Sequence, residues 1–393
     1  MATELAYALI TPYSLLKSRT GGIISRLLLA ADLDLVAARM LAPSDEFVDR
    51  YKELLEEQNI ESPLREAFLD YCDAYMRPNN RLGISNRCLL LLFEGENATR
   101  MINNDVVGTI TRQPRGDTVR GTYGDFVVER DGSVHYFEPA CFISTNPELT
   151  PRHLRLFAEF VDRDGGIVDD AVKLPPEAAT ETTLVILKPD NFRKPSARPG
   201  NIVDMFAKTG LFIVGAKVLH LTAAQGEEFY GPLRKIFIDK LRGNVARQAA
   251  SLLREAFEFD IPGDAVDQIG DILKGYNAEH EFNRIVEYMT GRNPATLTSP
   301  GERHQPGIEK CLALLYLGED AINKIRTRLG STNPNEAEAG SVRSVYGDDL
   351  MRNAAHASDS PANAERERRI IGLWDDIAPC DVRLIIDKYL ASL

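Results

Sequence analysis

The run CLLLLFEGENATRMINNDVVGT that begins at Cys88 has a counterpart in CLALLYLGEDAINKIRTRLGST from Cys311. Each is an apolar stretch of strand length, then a Gly, then apolar residues at helical spacing, then a closing Thr. A second pair lies upstream of these: ELAYALITPYSLLKSRTGGII over residues 4–24 and ETTLVILKPDNFRKPSARPGNIV over residues 181–203. Both read as strand, proline, basic loop, glycine and helix. Because the two matches occur in the same order, the chain reads as a tandem duplication. The copies span residues 1–161 and 181–393. Between them, DRDGGIVDDAVKLPPEAAT (162–180) has the Gly, Pro and acidic content of a linker.

Within each copy the coarse order is strand, helix, strand, helices, strand, helix, long loop, strand, helix. The simplest architecture for that order is a ferredoxin-like α+β sandwich, an antiparallel sheet with helices, so two such domains in tandem are expected. The second copy carries extra residues, 242–281, whose apolar spacing predicts a helical insert.

Charge and cysteine content narrow the function classes. A net charge of -12 argues against a nucleic-acid partner, since such proteins neutralise phosphates with a basic face. A phosphate ligand must then be met by a local basic cluster. The five cysteines are scattered without a CxxC, which points away from zinc and from a disulfide framework and toward a reducing, cytoplasmic setting. No segment approaches the ~20 apolar residues of a membrane span, and the first residues lack the basic and apolar regions of an export signal. Neither a membrane nor an exported location is expected.

The stretch RNAAHASDS, residues 352–360, places one histidine among small and polar residues, unusual company for a packed ring. Around it stand LKPDN after the first strand of the second copy, Phe229-Tyr230, GEDAINKIRTRLGSTNP, GSVRSVYGDDLMRNAAHASDS and AERE. In order and spacing this set resembles the nucleoside diphosphate kinase family, over roughly residues 181–375 and interrupted by the insert and by a shorter one near 294–310. The resemblance implies ping-pong transfer of a γ-phosphoryl group from a nucleoside triphosphate to a nucleoside diphosphate through a phosphohistidine at His356. A neutral imidazole suits that task, because it is nucleophilic at neutral pH without first losing a proton. The resemblance also assigns Glu367, with Ser358 beside it, to hold the other ring nitrogen. It places Arg326, Thr332 and Arg343 on the phosphates, Tyr230 and Lys188 beside the transferred group, and Lys188 and Asn353 at the sugar 3′-hydroxyl. Arg328 competes with Arg326 for its role. Phe237 is the candidate aromatic platform for the base, just before the insert. Magnesium is implied as a companion of the nucleotide, with few protein ligands. Ala357 stands where the family usually has Gly. The competing reading is a catalytically impaired nucleotide-binding or scaffold protein, with the insert blocking turnover.

The first copy departs from the pattern. The motif lysine becomes Thr11, the phosphate arginine becomes Asn103, and Phe142 takes the place of the histidine, while Tyr51, Thr109 and Arg120 are kept. Asp131-Gly132 predicts a tight hairpin that carries His135 off the catalytic position. Covalent transfer there is not expected. Because the family assembles from dimers of like domains, the tandem is expected to form an intramolecular pseudo-dimer, alone or as the unit of a higher oligomer.

Overall fold

In β1 (Thr3–Ile10), Leu5, Tyr7 and Leu9 enter one core while Ala6, Ala8 and Ile10 enter another. Successive side chains of a strand point to opposite faces, so a strand apolar at every position must be covered on both. β3 (Cys88–Glu96) follows the same rule: Leu90 and Leu92 join the first core, and Leu89, Leu91 and Phe93 the second. The computed structural model describes residues 3–30, 33–58, 60–62, 64–109, 115–175, 178–374 and 379–393. Residues 176 and 177 of the linker lie outside the described residues.

The first sheet comprises β1, β2 (Leu33–Leu41), β3, β6 (Cys141–Phe142) and an edge strand β7 (Gly165–Gly166). A separate hairpin of β4 (Asp125–Val128) and β5 (Val134–Glu138) turns through Gly132 at a φ of 89°, where the Asp-Gly pair predicts it. The second sheet comprises β8 (Thr180–Leu187), β9 (Phe212–Leu219), β10 (Cys311–Glu319) and β11 (Ala355–Ala357). The orders β6-β1-β3-β2 and β11-β8-β10-β9 are the same permutation. It places the first and third strands at the centre and the fourth beside the first, as in a ferredoxin-like sheet. Both domains are therefore α+β sandwiches of one topology.

Unusual backbone positions repeat as well. Ala140 and Ala354, each just before the last strand, take φ values of 61° and 70°. Gly108 and Gly330 take 84° and 87°, and a Cβ on either would run into the hydroxyl of the capping residue, Thr118 or Ser341. Non-glycine residues rarely sit in this region, so shared instances mark common backbone design rather than chance.

The two copies meet within one compact unit, residues 1–218 with 312–393. The Thr20–Leu28 helix crosses the equivalent Arg198–Ala207 helix at a glycine pair. A Cβ on Gly21 would stand 2.4 Å from the Gly200 carbonyl oxygen, and one on Gly200 would stand 2.2 Å from that of Gly21. Around this crossing the Gly22 amide donates to Asp204 Oδ1 at 3.1 Å and Ser25 Oγ donates to the Ala197 carbonyl at 3.0 Å. One apolar core runs through both sheets, from Ile23, Ile24 and Leu27 to Ile202, Val203 and Phe206. The last helix, Asp381–Leu390, follows the second copy in sequence, yet its Val382 and Ile386 enter the core of the first. Its start is pinned by the Cys380 amide and the Arg383 guanidinium, both donating to Asp162.

Residues 219–311 form a second compact unit. Its Leu233–Phe257 and Gly263–Thr290 helices pair as a hairpin, extending on both sides of the 242–281 segment read as the insert. Gly270 lets them close: a Cβ there would lie 2.9 Å from the Ala246 methyl. Arg234 and Arg242 bond to Glu279 and Asp271 across the pair, and Arg234 also lies over the Phe282 ring. Among the described residues no helix is long and apolar enough to cross a membrane.

Candidate functional site

His356 lies at the centre of β11, opposite Ile186 of β8. Its Nε2 is 2.9 Å from Glu367 Oε2, and Ser358 Oγ donates to the same carboxylate oxygen at 2.6 Å. Glu367 is buried on the Pro361–Ile370 helix, whose start is fixed by Ser360 accepting from the Asn363 amide and by Pro361 in the first turn. Strand and helix thus hold both partners from separate rigid elements. Because the carboxylate can only accept, Nε2 must carry the proton, and the lone pair is left on Nδ1.

Lys188 follows β8 directly. Its Nζ donates to Asn353 Oδ1 at 2.6 Å and to the Met351 carbonyl at 3.1 Å. Asn353, almost wholly buried, donates from Nδ2 to the Thr332 and Leu350 carbonyls, each at 3.0 Å. One amide therefore ties together the Lys188 turn, the Thr332 loop and the segment leading into His356. Thr332 itself is exposed. Arg343, on the short Val342–Tyr346 helix, donates to the Gly330 and Ala355 carbonyls at 3.0 Å each, bracing the loop against the histidine strand.

Arg326 and Arg328 share the Ala321–Leu329 helix. The Asp359 carboxyl, just past the histidine, is held below its usual range by the hydrogen bond from Asn363 and, less strongly, by the charge of Arg326. Arg326 stands on the last turn of that helix, within electrostatic reach of Asp359. Asp359 accepts from Asn363 Nδ2 at 2.6 Å and acts as a turn anchor. Tyr230 ends the Ala223–Tyr230 helix, which opens on a Thr222–Gln225 capping box, and Phe237 lies on the next helix; both belong to the 219–311 unit.

Asn191 is a residue the sequence reading left without a role. It is buried, and its Nδ2 donates to the Lys188 and Ala354 carbonyls at 2.9 and 2.7 Å. That fixes the left-handed Ala354 immediately ahead of the histidine strand. Its signal was visible, since Asn closes the KPDN motif, but a motif does not say which carbonyls an amide will meet.

In the first copy the corresponding space is filled. Phe142 pairs with Leu9 in β6 as His356 pairs with Ile186 in β11. The step of 11 residues from His356 to Glu367, taken from Phe142, lands on His153. His153 is buried, with Nδ1 2.7 Å from the Tyr7 hydroxyl, which in turn lies 3.0 Å from the Tyr51 hydroxyl. Burial pulls the His153 pKa down to about 4. Thr11, in place of the lysine, donates to Glu138 Oε1 at 3.0 Å, and Tyr71 donates to Glu138 Oε2 at 2.8 Å. Burial pushes the Glu138 carboxyl up to about 7. Tyr51 and Arg120, kept from the family pattern, are both buried and engaged by this core. His135 is exposed and pairs with Glu129 at 3.0 Å in the hairpin.

The family model described as "Nucleoside diphosphate kinase" matches residues 181–249 and 306–372, two segments of the second copy separated by part of the helical unit. A nucleoside diphosphate kinase of Methanobrevibacter smithii is 36% identical over 124 residues, covering 30% of this chain and 70% of that protein. One from Bdellovibrio bacteriovorus is 29% identical over 187 residues, covering 48% of this chain and 89% of its own. Among solved structures, the Aquifex aeolicus nucleoside diphosphate kinase aligns at 26% identity and a TM-score of 0.31, over 49% of this chain and 95% of that one. With the histidine, its carboxylate and the surrounding loop falling inside the matched segments, the chain belongs to the nucleoside diphosphate kinase family.

Proposed function

We propose that the second copy transfers the terminal phosphoryl group of a nucleoside triphosphate to a nucleoside diphosphate, with His356 as the covalent carrier. The supporting observation is the pairing of His356 Nε2 with Glu367 at 2.9 Å, reinforced by Ser358. Nδ1 attacks the γ-phosphorus, the bond from that phosphorus to the β–γ bridging oxygen breaks, and the diphosphate leaves. The imidazole then carries positive charge, which the Glu367 carboxylate stabilises through the Nε2 proton. A second diphosphate enters, its terminal oxygen attacks the phosphorus, the N–P bond breaks and the neutral histidine returns.

Arg326, Arg343 and Thr332 are assigned to the phosphate oxygens, and Lys188 with Asn353 to the sugar hydroxyl. Tyr230 and Phe237 carry their assignments, beside the transferred group and under the base, from the family pattern alone. Among the described residues no group of three or more His, Cys, Asp or Glu side chains could hold a metal. Magnesium in this reading arrives on the nucleotide, where it neutralises phosphate charge. The buried, free thiols of all five cysteines suit a cytoplasmic setting.

We further infer that the copies work as an intramolecular pseudo-dimer in which the first supplies packing surface and no chemistry. The reciprocal Gly21–Gly200 approach is the self-complementary contact a two-fold interface needs. The test of the catalytic reading is incubation of the full chain with γ-labelled ATP. An acid-labile, alkali-stable label that GDP removes as GTP is expected. A protein that binds nucleotide without acquiring label would instead be the scaffold.

A further inference from the structure

Where the copies meet, a cavity of about 260 Å³ is lined by Leu15 and Arg87 from the first and by Val203, Leu211, Ile213 and Tyr316 from the second. None of His356, Lys188 and Arg343 lines it, so it is separate from the candidate site. Two polar groups in this mostly apolar wall lack what burial normally demands.

Arg87 is only 4% exposed. Its Nε donates to Ser85 Oγ at 2.9 Å, Nη1 donates to the Ile213 carbonyl, and the guanidinium lies 5.1 Å from the Phe212 ring centre. Among the described residues no carboxylate pairs with it. Burial, with only the Cys88 thiol opposing it, pulls its pKa to about 10. Buried arginines are ordinarily paired, because an uncompensated charge in a low-dielectric interior is costly. The second group is Tyr316, whose buried hydroxyl has no hydrogen-bond partner among the described residues. The acid whose charge reaches it, Asp204, does not line the cavity and accepts from the Gly22 amide.

We propose that this cavity is a binding site for a small amphipathic monocarboxylate that bridges the two copies. Its carboxylate lies on the guanidinium donors left over by Ser85 and Ile213, and its apolar body lies against Leu15, Val203 and Leu211. A polar substituent at the far end meets the Tyr316 hydroxyl. A lone guanidinium with two of its five donors already used suits one carboxylate, whereas a phosphate dianion calls for more donors or a second cation. The volume falls below the ~300 Å³ at which drug-sized sites begin, which limits the ligand to a single ring or short branched chain. Because its walls come from both copies, occupancy stabilises their contact.

The test uses the full chain and phenylacetate as probe, with binding followed by saturation-transfer NMR. Phenylacetate is expected to bind, and its uncharged isostere phenylacetamide to bind at least about tenfold more weakly. Arg87→Gln removes the charge, and Ala207→Leu, at another residue of the cavity wall, fills the space while leaving the charge in place; each is expected to weaken phenylacetate binding at least about tenfold. Far-UV circular dichroism reports folding, and if Arg87→Gln does not fold, Ala207→Leu decides. Absence of phenylacetate binding, equal binding of the amide, or binding unchanged in the folded variants overturns the proposal.

Discussion

Arg120 holds in the first copy the carbonyls that Arg343 holds in the second. Arg120 donates to Gly108 and Cys141 at 2.9 and 3.2 Å, and Arg343 to Gly330 and Ala355 at 3.0 Å each. The copy with Phe142 in place of the histidine has kept the brace, so main-chain support is part of what this arginine does. Replacing Arg120 with Met strands buried carbonyls and is expected to cost on the order of 2–3 kcal/mol, with turnover retained below the melting point. Arg343→Met is expected to lower both stability and turnover. Thermal melts and nucleotide exchange on the two variants separate the roles.

His356→Asn should abolish phosphoenzyme labelling while nucleotide binding survives, because no other group in the site is placed to attack. Glu367→Gln keeps the shape but loses the charge facing the imidazolium, and a fall in kcat of about 100-fold is expected. Phe142→His should create no second labelled site, since Thr11 and His153 stand where the second copy has Lys188 and Glu367. Labelling of His356→Asn at the wild-type rate would remove this histidine from the mechanism.

Arg326→Ala is expected to cost about 100- to 1,000-fold in kcat, as for a preorganised donor to transferring oxygens, and Arg328→Ala little. The charge of Arg326 reaches Asp359 beside the histidine. Equal, mild losses in both variants would take Arg326 out of the site.

Glu138 and His153 set opposing pH dependences in the core of the first copy. Folded Glu138 titrates near 7 against 4.5 when unfolded, so its contribution to stability is full below about 4.5 and is lost as pH rises through 7. Folded His153 titrates near 4 against 6.5 when unfolded, so its contribution is present above 6.5 and is lost as pH falls toward 4. Between pH 4.5 and 6.5 the two slopes largely cancel. Glu138→Gln should leave stability rising with pH over that window and His153→Gln should leave it falling, each by on the order of 2–3 kcal/mol. Urea titrations at pH 5 and 6.5 read the sign directly.

Gly200→Ala should weaken the contact of the copies, because the new methyl would stand 2.2 Å from the Gly21 carbonyl oxygen and 2.4 Å from the Ser25 amide, both main chain. The same change at Gly210, where φ is 73° and the surroundings are open, should cost only local strain of about 1 kcal/mol. Equal melting temperatures for the two variants would argue against a tight crossing at Gly21–Gly200.

Local order was written in the chain: apolar runs of strand length, glycine after each, helical spacing beyond them and the repetition of the whole set specify two α+β domains. The resemblance carried by KPDN, GSVRSVYGDD and RNAAHASD likewise singled out Lys188, Arg343, Asn353 and His356, because a motif records which residues stay together along the backbone. What packing alone decided lies between residues far apart in sequence. The Asn191 amide found the Ala354 carbonyl, Arg87 was buried against Ile213, the last helix joined the first copy, and Gly21 met Gly200. Periodicity reports which face of an element is apolar but not which distant face covers it. For that reason the family and the candidate histidine could be read from the residues, while the kept arginine brace, the buried Glu138 and the cavity between the copies became visible only once both sheets were packed.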